Sequence, residues 1–249
     1  MRNLVRSGIF WGLSCISILT YADTAQNLNC SAEQYNMSLK YQQSAEIEAL
    51  QYQAYQLATY RLEAILKQHP HAKNLAIVTD LDETVLDNSA LFARDVKNCQ
   101  DFTQWHSWAE WERTGHPKLI TGSLDFFNFA SRHGVTIYYV SDRSEENRQA
   151  TLNTLKHLGL PQVKSKQLLL YGTSKQQRRE QVQQQHKIVM LLGDTLHDFS
   201  EDFEPKLSKT EKQKRIAAQR QHFGKNWIVL PNSSYGAWSE DPLNSTNVE

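Results

Sequence analysis

Beyond residue 70 the chain alternates short, uninterrupted apolar runs with longer stretches of helical periodicity. Leu75 to Thr79, Val135 to Val140, Leu168 to Tyr171, Ile188 to Leu192 and Trp227 to Leu230 are runs of the first kind. A strand with one wet face alternates apolar and polar residues, so a run without that alternation reads as a strand covered on both faces. Between the runs, Ser123 to His133 closed by Gly134, Ser144 to Leu158 closed by Gly159 and Pro161, and Lys175 to His186 read as helices. This order predicts an α/β fold, a mostly parallel sheet flanked by helices on both sides. Ligands of such sheets sit beyond the carboxyl ends of the strands.

Ahead of this region, Ser31 to His69 has no Gly or Pro and is rich in Ala, Leu, Gln and Glu. It reads as long helix with room for one break, opened by a capping box at Ser31 and Gln34 and stopped by Pro70. Ile47, Leu50, Ala54, Leu57, Ala58, Leu62, Ile65 and Leu66 form its apolar face. Residues 92–121, with Trp105, Trp108 and Trp111, interrupt the alternation and are expected to cover the strand ends as a small cap. Pro205 to His222 is rich in Lys, Gln and Arg and reads as a solvated helix, and the tail after Glu240 is polar.

A chain of 249 residues suits one sizeable α/β domain with an elaboration. Basic and acidic side chains number 27 each, so no overall field recruits a nucleic-acid polymer or an anionic membrane. Phosphate recognition, if present, is local. Residues 1–22 place Arg2 and Arg6 before the uncharged run Ile9 to Leu19, with small residues around Ala22. That is the layout of a secretory signal peptide, whose apolar run is short for a membrane span. Cleavage after Ala22 would leave one domain over 23–249, periplasmic or secreted, with no membrane span. Acylation of Cys15 is the alternative, although Gly12-Leu13-Ser14 lacks the usual leucine three residues upstream. Cys30 and Cys99 would remain, able to pair in an oxidising compartment or to persist as thiols.

Candidate chemistry lies where the apolar runs end. In Asp80-Leu81-Asp82-Glu83-Thr84, extended backbone would project Asp80 and Asp82 to one side. Crowded carboxylates repel until a cation or a proton intervenes. Asp80 then suits a nucleophile, and Asp82 a general acid and base. Gly193-Asp194-Thr195-Leu196-His197-Asp198-Phe199 follows another buried run and brings a second acidic cluster to the same edge. Hard oxygen donors of this kind suit Mg²⁺, with Asp80, Asp194 and the backbone carbonyl of Asp82 as ligands and Asp198 orienting a bound water. Ser141, at the end of a third run, and Lys175, at a helix start, are candidate phosphate contacts. The His residues are scattered and lack the paired spacing of a catalytic zinc motif.

These residues follow the order of the four motifs of the haloacid dehalogenase superfamily. More narrowly the chain resembles the class C bacterial acid phosphatases, through Val78 to Asn88, Val189 to Phe199, the helical stretch around Gln53 to Ala58, and Leu230 to Trp238. The resemblance implies a Rossmann-like, haloacid dehalogenase-like fold with a small, mainly helical cap and a long N-terminal helix. It further implies an exported Mg²⁺-dependent phosphatase acting on small phosphomonoesters, nucleoside 5'-monophosphates among them, through a phospho-aspartate. Asp80 and Asp82 would be catalytic, Ser141 and Lys175 would bind phosphate, and Asp194 would be a metal ligand supported by Asp198. Tyr235 and one of Trp105 or Trp108 would line the substrate pocket. A phosphotransferase that excludes water, or a non-catalytic binding or storage protein, would share the fold. Three positions depart from the pattern: Ala90 replaces a usual proline, Leu91 a usual tyrosine, and Asp142 a common asparagine. A carboxylate beside phosphate is expected to turn away, toward Arg143.

Overall fold

The computed structural model describes residues 31–203 and 206–241. The expected signal peptide, Cys15 and Cys30 lie outside these residues. The N-terminal region is a 3-10 turn at Ser31–Tyr35, helix α1 (Asn36–Gln42) and helix α2 (Ala45–Gln68), in place of one long helix. The break has a packing reason. Leu39 of α1 joins an aromatic cluster with Leu91, Phe92 and Phe102, whereas Ala54, Ala58 and Leu62 of α2 join the core under the sheet. At the break the Ser44 hydroxyl caps α2, accepting from the Ile47 N–H at 3.3 Å. Leu50, expected on the apolar face, is exposed.

The chain continues through β1 (Leu75–Thr79), β2 (Leu86–Asp87), α3 (Ser89–Lys97), α4 (Trp108–Thr114), β3 (Lys118–Leu119), α5 (Ser123–Arg132) and β4 (Thr136–Val140). It ends with α6 (Arg148–His157), β5 (Leu168–Leu169), α7 (Lys175–Gln183), β6 (Lys187–Gly193), α8 (Lys209–Ala218) and β7 (Trp227–Val229). Three expected helices are clearly shorter than their sequence pattern, among them α8, which covers only Lys209–Ala218. A 3-10 turn at Glu145–Asn147 precedes α6, and α7 stops at Gln183. No residue of α8 is buried, in keeping with a solvated helix.

Five strands form one parallel sheet in the order β5-β4-β1-β6-β7. Central β1 shows why its run is apolar throughout. Leu75 and Ile77 pack with α2 and α5 on one face, through Tyr55, Leu62, Phe126 and Phe127, while Ala76 and Val78 meet Val182, Phe199 and Trp227 on the other. Full burial of one such large apolar side chain contributes roughly 1.5–3 kcal/mol. The insertion begins at α3 and is closed by the antiparallel pair β2 and β3, with Leu86 opposite Leu119 and Asp87 opposite Lys118. Because the sheet is parallel, Thr79, Val140 and Gly193 end on one edge, and Asp80, Ser141 and Asp194 are the next residues.

Candidate active site

Asp80 extends the strand edge, its N–H donating to the Leu192 carbonyl at 2.9 Å. The chain then turns tightly. The Leu81 carbonyl accepts from the N–H groups of Val85 and Leu86, each at 2.8 Å, and Glu83 takes a left-handed φ of 57°. Helix α2 supports this loop from below the sheet, with the Tyr55 hydroxyl donating to the Thr84 carbonyl at 2.6 Å. Thr84 Oγ1 donates in turn to Asp194 Oδ1 at 3.2 Å, and Asn232 Nδ2 donates to Asp194 Oδ2 at 2.7 Å. Gly193 is required at the end of β6, since a Cβ there would collide with the Asp198 side chain.

Lys175 enters from the start of α7, which Ser174 and Gln177 close with a reciprocal capping box. Its Nζ lies 2.6 Å from Asp80 Oδ1 and 2.5 Å from Asp198 Oδ1. Burial alone would lower the ammonium pKa, but the Asp198 and Asp80 carboxylates hold it above its ordinary value. Asp80, Asp194 and Asp198 bring one carboxylate oxygen each within 4.8 Å of one another. Burial pushes Asp80 well above the usual carboxylate range, with Lys175 opposing the shift and the neighbouring acids adding to it. Asp194 is raised to about 7, first by burial and then by Asp198. Against the effect of burial, Lys175 instead holds the Asp198 carboxyl below its ordinary value. Crowded, buried, oxygen-only donors, two of which resist carrying their charges, are a fit for a hard divalent cation.

Asp82 lies in a different set of contacts. Arg143 Nε is 3.0 Å from both of its carboxylate oxygens, Arg143 Nη2 is 2.7 Å from Oδ1, and Asn88 Nδ2 is 3.0 Å from Oδ1. The Ser141 hydroxyl donates to Asp82 Oδ2 at 3.2 Å, so it reaches the site through that carboxylate and does not itself line the cavity. Asp142 pairs with Arg178 at 2.5 Å and not with Arg143, which is committed to Asp82, and it still faces the cavity, 3.9 Å from Lys175 Nζ. Its carboxyl is held well below the usual range: burial opposes this, and the neighbouring His197, Lys175 and Arg178 overcome it. Arg143, Asn88 and Glu83 are the residues that sequence reasoning missed. Arg143 left no signal in the sequence, since its burial and its partner Asp82 are set by the fold. For Asn88 the only trace was its place at the end of the first signature.

A cavity of about 310 Å³ joins these groups, lined by Asp80, Asp82, Asp194, Lys175 and Arg143, with Asp142 and His197. Its remaining wall is aromatic. Trp105, Trp108 and Tyr235 all line it, so both tryptophans, where one was expected, reach the cavity. Trp105 and Tyr235 meet edge to face at 5.0 Å between centroids. Tyr235 adjoins Glu83, whose own carboxyl is raised by burial and by the Asp82 charge.

A parallel α/β sheet that gathers such acids and a lysine at one rim, under a helical insertion, defines a haloacid dehalogenase-like protein. The chain belongs to the family described as HAD superfamily, subfamily IIIB (acid phosphatase), which matches residues 13–238. It is similar to the class C acid phosphatase from Bacillus anthracis, with 36% identity over 84% of this chain and 88% of that one and a TM-score of 0.78. A crystal structure of that class C enzyme with tungstate bound matches with the same identity, coverage and TM-score. The protein is thus an acid phosphatase, a phosphoric monoester hydrolase.

Proposed function

We propose that this acid phosphatase hydrolyses small phosphomonoesters by transferring the phosphoryl group to Asp80 and then to water, with Mg²⁺ as its cation. The carrying observation is Lys175 Nζ set between Asp80 Oδ1 at 2.6 Å and Asp198 Oδ1 at 2.5 Å, beside Asp194 and in the cavity that Asp82 also lines. Asp80 and Asp194, with the backbone carbonyl of Asp82, would hold the cation, and Asp198 would support them. When bound, the cation supplies charge neutralisation between the anionic ester and its carboxylate attacker.

The chain's own groups carry the steps. An Asp80 carboxylate oxygen bonds to phosphorus as the ester P–O bond breaks, and Asp82 gives a proton to the departing oxygen. Asp82 then takes a proton from a water that attacks phosphorus, and the bond to Asp80 breaks to release phosphate. Lys175 orients Asp80 and offsets phosphate charge. Ser141, fixed by the Arg143 N–H at 3.1 Å and donating to Asp82 Oδ2 at 3.2 Å, serves at the same strand edge by holding Asp82 and not by touching phosphate. Tungstate, the anion in the related crystal structure, is a tetrahedral oxyanion like phosphate, and its binding there supports this reading. The aromatic wall supports nucleoside 5'-monophosphates as substrates, since every base offers a face for stacking. Asp80→Asn, shown folded by its unfolding midpoint, is expected to lose hydrolysis of aryl and nucleoside phosphates at least about 1,000-fold. Retention of activity by that variant would falsify the reading. Equal efficiency on nucleoside, sugar and aryl phosphates would remove the nucleotide part alone.

A further inference from the structure

Asp82 is held partly by Asn88, and Asn88 is itself held by the insertion. The Asn88 Nδ2 donates to Asp82 Oδ1 at 3.0 Å, while its Oδ1 accepts from the Trp111 indole Nε1 at 2.8 Å. A side-chain amide can turn over and exchange its donor and acceptor ends, whereas an indole can only donate. Trp111 therefore fixes the oxygen end of Asn88, while Glu83 Oε2 and the Leu86 carbonyl, each 3.5 Å from Nδ2, are only weak partners on the nitrogen end. The reversed amide would set oxygen against oxygen at Asp82. Arg143 Nη2 also faces Asn88 Oδ1, but at 3.4 Å it is a weak substitute. Asn88 is fully buried, so bulk water cannot fill the role.

Resting on the assignment of Asp82 as acid and base, we propose that Trp111 is a positioning residue. By fixing the Asn88 amide it sets the carboxylate that protonates the leaving oxygen. Unlike Trp105 and Trp108, Trp111 does not line the cavity, so its influence falls on proton transfer and not on substrate contact. Its neighbour Glu112 ties the same helix to the loop that bears Arg143. Glu112 Oε2 accepts from the Asn147 amide at 2.7 Å and from the Ser144 N–H at 3.1 Å. Gly115 permits the arrangement, because a Cβ there would run into the Trp111 ring. Helix α4 thus fixes both sides of Asp82, through Asn88 and through the Arg143 loop.

The test compares kcat/KM for an alkyl phosphate and for p-nitrophenyl phosphate, with Mg²⁺ present. An alkoxide needs a proton to leave and a nitrophenolate does not, so misplacing the acid penalises only the first. Trp111→Phe keeps an aromatic ring and removes the donor. It is expected to lower the alkyl value about tenfold or more and the nitrophenyl value less than about twofold. Trp111→Leu, which also removes the donor and keeps an apolar side chain, should give the same split and serves if Trp111→Phe folds poorly. In an Asp82→Asn background, Trp111→Phe should cost nothing further on either ester. Equal losses on the two esters, no loss on the alkyl ester, or full additivity with Asp82→Asn would overturn the proposal. Asp82→Asn alone separates this idea from its foundation. If that variant slows both esters alike, the acid and base reading fails; if it splits them and Trp111→Phe does not, only the role of Trp111 fails.

Discussion

Asp194 shows how crowding one residue shapes the behaviour of the site. Its carboxyl is raised to about 7, by burial first and by Asp198 second. A folded-state pKa above the unfolded one means that the folded protein binds a proton the unfolded chain has released. That contribution to stability is full below the ordinary carboxylate range and is lost as pH rises through about 7. A divalent cation replaces the proton, so its stabilising effect should grow over the same window. Thermal unfolding with and without Mg²⁺ is expected to show a larger cation-induced gain in Tm at about pH 8 than at about pH 5. A gain that shrinks with rising pH would argue against a cation at Asp194.

At the scale of elements, α2 is a support whose packing can be loosened without touching the chemistry. Leu62 is fully buried between α2 and the sheet. Leu62→Ala is expected to lower the unfolding free energy in urea by about 2–5 kcal/mol while kcat per folded molecule stays within about twofold. The sheet strands were legible because each is buried on two faces and so leaves an unbroken apolar run, as Leu75–Thr79 does. Pairs as short as β2 and β3 leave no such trace, and their ladder is specified by the turn around Leu81 and the return of Leu119. The break after α1 was foreseen only as an option, because it is decided by which of two clusters Leu39 and Ala54 join. The same limit hid Arg143: its partner Asp82 lies 61 residues away in sequence, and nothing local favours Asp82 over the adjacent Asp142.

For the whole molecule, the decisive fact is that a parallel sheet places every strand's carboxyl end on one edge. Asp80, Asp194 and Lys175, far apart in the chain, meet there, and the balanced charge of 27 acidic and 27 basic side chains leaves substrate attraction to that local cluster. Cys99 is disulfide-bonded, and Cys30, with which the sequence allows it to pair, lies outside the described residues. The proposed mechanism turns on covalent capture of the phosphoryl group at Asp80. Rapid acid quench of the Asp82→Asn variant with Mg²⁺ and a phosphate-labelled monoester, followed by peptide mapping, tests it directly. The label should accumulate on the peptide that contains Asp80 and be released by hydroxylamine, as an acyl phosphate is. Label on another residue, or product formed with no labelled protein at any time, would contradict it.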